Sequence, residues 1–141
     1  MTSRRKPYRG PNIVVTFEPR RCLHTAECLR ALPEVFDNRR TPWIDATAAA
    51  PDRIAEAVQR CPTGALRFER SDGGAVEVAP ARTAVTIMPD GPLFVRGDLE
   101  LRRADGTVLG AETRVALCRC GHSQNKPFCD NSHFGAGFEA D

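Results

Sequence analysis

The stretch CRCGHSQNKPFCDNSH, residues 118–133, sets three cysteines and a histidine within sixteen residues. Cys118-Arg119-Cys120 places two thiolates on neighbouring turns of a loop, and Cys129 to His133 brings back a third thiolate and an imidazole. Donors packed so closely make the loop wrap a single centre, a ligand set for iron or zinc and not a disulfide framework. Tetrahedral zinc is one solution. Two features favour iron with sulfide. The Cys-x-Cys spacing is shorter than the about two to four intervening residues usual in zinc sites. Gly121 to Phe128 is also rich in small polar groups suited to donating hydrogen bonds to bridging sulfides.

Upstream of this loop, Ala84 to Met88, Leu93 to Leu101, Thr107 to Leu109 and Thr113 to Leu117 read as short strands. Pro89-Asp90-Gly91-Pro92 and Ala104-Asp105-Gly106 separate them, and Asp-Gly between alternating runs signals a hairpin. A compact sheet should therefore lead directly into the cysteine loop. Ser71-Asp72-Gly73-Gly74 marks a turn, and Ala79-Pro80-Ala81-Arg82 reads as a linker.

Before that linker the texture changes. Asn12 to Glu18 alternates as a strand and is stopped by Pro19. Ala26 to Leu32 looks helical until Pro33, and Thr41 to Ile44 reads as a short strand. Pro51 to Arg60 sets Ile54, Ala57 and Val58 at helical spacing, with Pro51 tolerated in the first turn. Ala65 to Glu69 reads as another strand, and Phe17, Phe36, Trp43 and Phe68 are assigned to the core. The expected fold class is α+β, a small mixed module over residues 8–78 and a β-rich module over residues 83–141. Modules of about 60 residues bury little surface, and a bound metal or cluster commonly supplies the missing stabilisation.

Bulk properties narrow the function classes. A net charge of +2, with eighteen of the twenty basic residues scattered arginines, gives no nucleic-acid stripe. No apolar stretch approaches the roughly 20 residues of a membrane span. Met1 to Gly10 is basic and lacks the apolar run of an export signal. The expected compartment is a reducing cytoplasm, where clustered cysteines act as ligands more often than as disulfides.

The other three cysteines have a different spacing. Cys22 and Cys28 are separated by five residues, and Cys61 precedes Pro62. A bacterial ferredoxin run is C-x2-C-x2-C with a distant C-P, and Thr25 occupies the place of the middle cysteine here. The segment from about Tyr8 to Phe68 resembles the divergent mono-cluster ferredoxin family in Cys22-Leu23-His24-Thr25-Ala26-Glu27-Cys28 and in Cys61-Pro62-Thr63-Gly64-Ala65-Leu66. That resemblance implies a ferredoxin-like α+β module in which Cys22, Cys28 and Cys61 hold a [3Fe-4S] cluster. A [4Fe-4S] cluster stays open if its fourth iron takes a non-cysteine ligand. His24 adjoins the vacant position, its plainer reading being a loop residue, and buried cysteines holding no cluster are the third alternative.

Cys118, Cys120, Ser123, Pro127, Cys129, Asp130, Ser132 and His133 fill eight of the nine fixed positions of C-x-C-x2-(S/T)-x3-P-x-C-D-G-(S/A/T)-H. The stretch resembles the CDGSH iron-sulfur domain of the mitoNEET-like proteins. The resemblance implies a [2Fe-2S] cluster with Cys118 and Cys120 on one iron, and Cys129 and His133 on the other. Asn131 stands where that family has Gly, and Asn is the residue that best tolerates the left-handed backbone a Gly there implies. A neutral imidazole in place of a thiolate raises the potential. It also makes the site acid-sensitive, since protonating the imidazole breaks its iron bond. His122 reads as an exposed loop residue, and Lys126 and Asp130 as residues tuning the cluster from beside it. Only eight residues follow His133, fewer than the dimeric members carry, which leaves oligomeric state open.

Taken together, the two resemblances imply a two-cluster electron carrier serving redox partner proteins, a reductase and an acceptor. Without a nucleophile, acid-base pair or substrate-pocket motif it is not expected to be an enzyme, and neither nucleic acid nor membrane is an expected partner. The alternative is cluster storage or transfer to apo iron-sulfur proteins, or redox and pH sensing through the His-ligated cluster. A zinc-stabilised interaction module is a third reading.

Overall fold

In the computed structural model, which describes residues 5–141, the chain divides into two units. One takes in the chain up to Cys61 together with Ala65–Glu77, the other Pro62–Gly64 together with Val78–Asp141. Each carries a three-stranded antiparallel sheet, so the described chain is mixed α+β with sheet predominating. No helix among the described residues is long and apolar enough to cross a membrane.

In the first unit, strands β1 (Lys6–Arg9), β2 (Ile13–Phe17) and β3 (Leu66–Arg70) lie in that order, with Val15 opposite both Tyr8 and Phe68. Alternation along β2 buries Ile13 and Val15. Helix α1 (Glu27–Ala31) and helix α2 (Pro51–Gln59) follow, and α2 turns Ile54, Ala55, Ala57 and Val58 into a core with Leu32, Val35, Phe36, Ile44 and Leu66. Phe36 is fully buried, while Phe17, Trp43 and Phe68 pack on the core's margin, Phe17 edge-on to Trp43 at 4.9 Å. Strand β1 carries no alternating apolar pattern, and only its pairing to β2 makes it a strand.

Thr41 to Ile44 is not a strand. A single bridge joins Ile44 to Phe36, and the Arg40 guanidinium takes the carbonyls of Val35, Pro42 and Trp43 at 2.8, 3.2 and 3.4 Å. The bridge's own bonds run from Asp37 N–H to Trp43 O and from Asp45 N–H to Val35 O, both at 2.9 Å, and the pairing goes no further.

In the second unit, β4 (Ala84–Ile87), β5 (Leu93–Arg102) and β6 (Val108–Leu117) form the sheet. The two short strands expected over residues 107–117 are one, because Leu99, Glu100 and Leu101 keep register with Glu112, Ala111 and Gly110. The β5-β6 turn closes at Gly106, whose φ of 94° is left-handed. Among the described residues of this unit the buried apolar side chains are Pro92, Val115, Ala116 and Cys129, a small core for some sixty residues.

Candidate metal centres

Three contacts fold the cysteine loop back onto β6. Cys118 N–H donates to Pro127 O and Cys129 N–H to Ala116 O, both at 2.8 Å, and Leu117 bridges Phe128. A short helix α3 (Ser132–Ala136) then carries His133 in its first turn, buried at 6% exposure. Its preceding residue, Asn131, is left-handed at φ 71°. The expected donors come together in pairs: Cys118 Sγ lies 3.8 Å from Cys120 Sγ, and Cys129 Sγ lies 3.6 Å from His133 Nδ1. The pairs adjoin. Burial pushes the Cys129 thiol up, and the charges of Cys118, Asp130 and Cys120 push it further.

Backbone N–H groups are aimed at the sulfurs. His122 N–H points to Cys120 Sγ and Asn131 N–H to Cys129 Sγ, each at 3.4 Å. Burial acts to raise Cys118, yet the N–H groups of Ser123 and Gly121 and the neighbouring Cys120 outweigh it and hold that thiol below its usual value. Donors grouped in twos, each thiolate supplied with hydrogen bonds, fit a two-iron group with sulfur bridges. Among the described residues no three His, Cys, Asp or Glu side chains converge as a site for one ion.

The small polar side chains of the loop do something other than expected. Ser123 Oγ donates to Phe128 O at 2.6 Å and accepts from Asn125 N–H at 3.0 Å, so it braces the loop from inside. Asp130 accepts from Gln124 N–H at 2.8 Å and Ser132 N–H at 3.0 Å, and the Ser132 side chain first, then these N–H groups, hold its carboxyl below the usual range. It therefore sets the loop's shape from a step behind the donors. Lys126 is exposed, and His122 serves through its backbone while its ring is exposed.

Sequence reasoning missed Arg119. Its guanidinium donates to Met88 O at 2.8 Å, Gly91 O at 2.9 Å and the carbonyls of Ala140 and Asp141, and stacks 5.1 Å over Phe138. An arginine between two cysteines carries no sequence signal for this clamp, because all four acceptors are backbone atoms far along the chain.

In the first unit, a 3-10 turn (Pro19–Arg21) delivers Cys22, α1 carries Cys28, and the end of α2 delivers Cys61, whose N–H donates to Val58 O at 3.1 Å. Burial raises Cys22 and Cys28, the latter to about 11, and the charge of Cys61 raises both further. The three thiols are thus near neighbours. Beside them lies a cavity of about 620 Å³ lined by Cys22, His24, Ala26, Cys28 and Leu29 together with Tyr8, Phe17, Asn38, Arg40, Thr41, Pro42 and Trp43. His24 N–H donates to Cys22 Sγ at 3.4 Å. Cys22 and Cys28 lining a cavity, with Cys61 close enough to act on both and an N–H on one sulfur, fit an iron-sulfur group.

Comparison with known proteins finds a family match over each of the two segments. Residues 90–134 match the family described as iron-binding zinc finger, CDGSH type, and residues 8–71 match the divergent 4Fe-4S mono-cluster family. Uncharacterized protein YjdI of Escherichia coli K12 is 31% identical over 61 residues, which is 43% of this chain and 80% of that protein. The protein of the same name from Escherichia coli O157:H7 gives the same figures. An iron-sulfur protein in two modules, the chain belongs to the divergent 4Fe-4S mono-cluster family and carries a CDGSH-type iron-binding domain after it.

Proposed function

We propose that this protein is a one-electron carrier working between a reductase and an acceptor protein in the cytoplasm, with no enzymatic reaction of its own. Cys118 and Cys120 hold one iron of a [2Fe-2S] cluster and Cys129 and His133 the other, while Cys22, Cys28 and Cys61 hold a [3Fe-4S] or [4Fe-4S] cluster. One observation carries this reading. At three of the cysteines the N–H of the residue two positions on, His24, His122 or Asn131, points at Sγ from 3.4 Å. Such donors stabilise negative charge on sulfur and raise a cluster's potential, and they are in place before any electron arrives. Bound clusters supply reversible one-electron chemistry. The chain's part is to bury His133 and Cys129, to aim these N–H groups, and to keep the loop in one shape through Ser123 and Asp130.

A second reading, cluster storage, transfer or sensing, is favoured by the seat of His133. It is the imidazole among the expected ligands of this cluster, a donor that a proton displaces in milder acid than it does an iron-bound thiolate, and it stands on a helix of five residues whose start has no side-chain cap. Anaerobic full-length protein mixed with a ferredoxin reductase separates the two. Rapid reduction with both clusters retained supports the carrier. Delivery to an apo-acceptor faster than decay into solution supports transfer. A colourless protein holding zinc would overturn both.

A further inference from the structure

A four-iron cluster held by Cys22, Cys28 and Cys61 leaves one iron without a thiolate. Thr25, at the vacant position, does not line the cavity, and its carbonyl is held by the Arg30 guanidinium at 2.8 Å. His24 does line the cavity, as do Cys22 and Cys28, and its Nδ1 lies 3.9 Å from Cys22 Sγ. The loop reaches this arrangement through two non-glycine residues in the left-handed region, His24 at φ 58° and Ala26 at φ 63°, on either side of Thr25. That conformation is uncommon for such residues, and its double use in seven positions selects the side chain of residue 24 over that of residue 25.

We propose that His24 supplies the fourth protein ligand of a [4Fe-4S] cluster in the first unit. The proposal rests on the reading that this unit holds a cluster. The second unit offers an internal parallel. There a left-handed residue, Asn131, donates its N–H to Cys129 Sγ at 3.4 Å, with His133 Nδ1 at 3.6 Å from that sulfur. In the first unit the left-handed residue is His24 itself, donating to Cys22 Sγ at 3.4 Å, with its own Nδ1 at 3.9 Å. Each iron of a four-iron cube takes one protein ligand, so Cys22 and His24 serve different irons and must stand farther apart than this. The His24 side chain is exposed, and a change of rotamer supplies the separation. Imidazole is a good iron donor, and Tyr8, which lines the same cavity, is the competing one.

The test uses the full chain with His133→Cys, which removes the other expected imidazole ligand, grown on ¹⁵N-histidine and reconstituted anaerobically with ferrous iron and sulfide. Pulsed paramagnetic resonance of the reduced protein should show a histidine nitrogen coupled to the four-iron cluster, and adding His24→Ala should remove it. Ferricyanide should convert the His24→Ala protein to the three-iron signal faster than it converts the parent, and His24→Cys should resist conversion. Iron near ~6 per chain with no nitrogen coupling, or a coupling that survives His24→Ala, overturns the ligand assignment and leaves the carrier reading standing. A first unit that takes up three irons and never a fourth does the same. Iron near ~2 per chain overturns both.

Discussion

Asn131, held at φ 71°, donates its backbone N–H to Cys129 Sγ at 3.4 Å. The left-handed turn is what swings that N–H onto the sulfur, and it starts the helix that carries His133. Asn131→Gly should therefore keep the cluster's lifetime near that of the wild type, since Gly adopts this backbone freely. Asn131→Val should cost about 1–2 kcal/mol, the penalty of a left-handed backbone for a residue with Cβ, and should quicken cluster loss several-fold. Decay of visible absorbance at fixed pH reads both. Equal decay in the two variants would remove the backbone from the explanation.

His133→Cys replaces the neutral donor among the four expected ligands of the second cluster. Cluster loss in mild acid should slow, and the potential of the second cluster should fall, because a fourth thiolate adds negative charge. Absorbance decay against pH, with redox titration of the same samples, measures both effects. Unchanged acid lability would place the proton elsewhere than on His133.

Ser123 is 5% exposed and makes two short bonds inside the loop, to Phe128 O and from Asn125 N–H. Ser123→Ala leaves both groups seeking partners, at a cost of about 1–3 kcal/mol each where water cannot reach them. Second-unit stability should drop accordingly, read as the denaturant midpoint for loss of the second cluster's absorbance. Ser123→Thr, which keeps the oxygen, should lose less.

The strands and α2 were legible because they follow simple periods: Ile13 and Val15 alternate, and Ile54, Ala57 and Val58 recur at helical spacing. What escaped depends on partners distant in sequence. Lys6–Arg9 has no strand pattern and is paired only because Lys6 faces Phe17 in β2. The break expected within residues 107–117 vanishes because β5 holds Gly110 and Ala111 in register. At the second site the residue types were readable from spacing, while the donors to sulfur were not. The side chains expected to donate turn inward as braces, and the N–H groups aimed at sulfur belong to every residue alike.

Gly10 shows the same dependence on distant partners. A Cβ there would meet Ala46 O at 2.2 Å, and the obstacle is backbone, unable to rotate aside. Gly10→Ala should destabilise the first unit by ~1–3 kcal/mol through overpacking. Its denaturation midpoint should fall while that of the second unit stays put. A variant as stable as the wild type would mean that the Gly10 and Ala46 segments part easily.

Removal of the metal exposes a contrast between thiols. In the iron-free protein Cys28 sits at about 11, raised by burial and then by the neighbouring charge of Cys61, whereas backbone N–H groups hold Cys118 below its usual 9.0. The thiolate is the reactive form, so at pH ~8 iodoacetamide should modify Cys118 well before Cys28. As pH rises, the rate at Cys118 should level off first, while that at Cys28 climbs until pH passes about 11. Mass spectrometry of timed, chelator-treated samples reads the order. If Cys28 reacted first, the N–H groups of Ser123 and Gly121 would not be stabilising the Cys118 thiolate, and the loop's preorganisation for a cluster would have to come from its Ser123 and Asp130 side-chain braces alone.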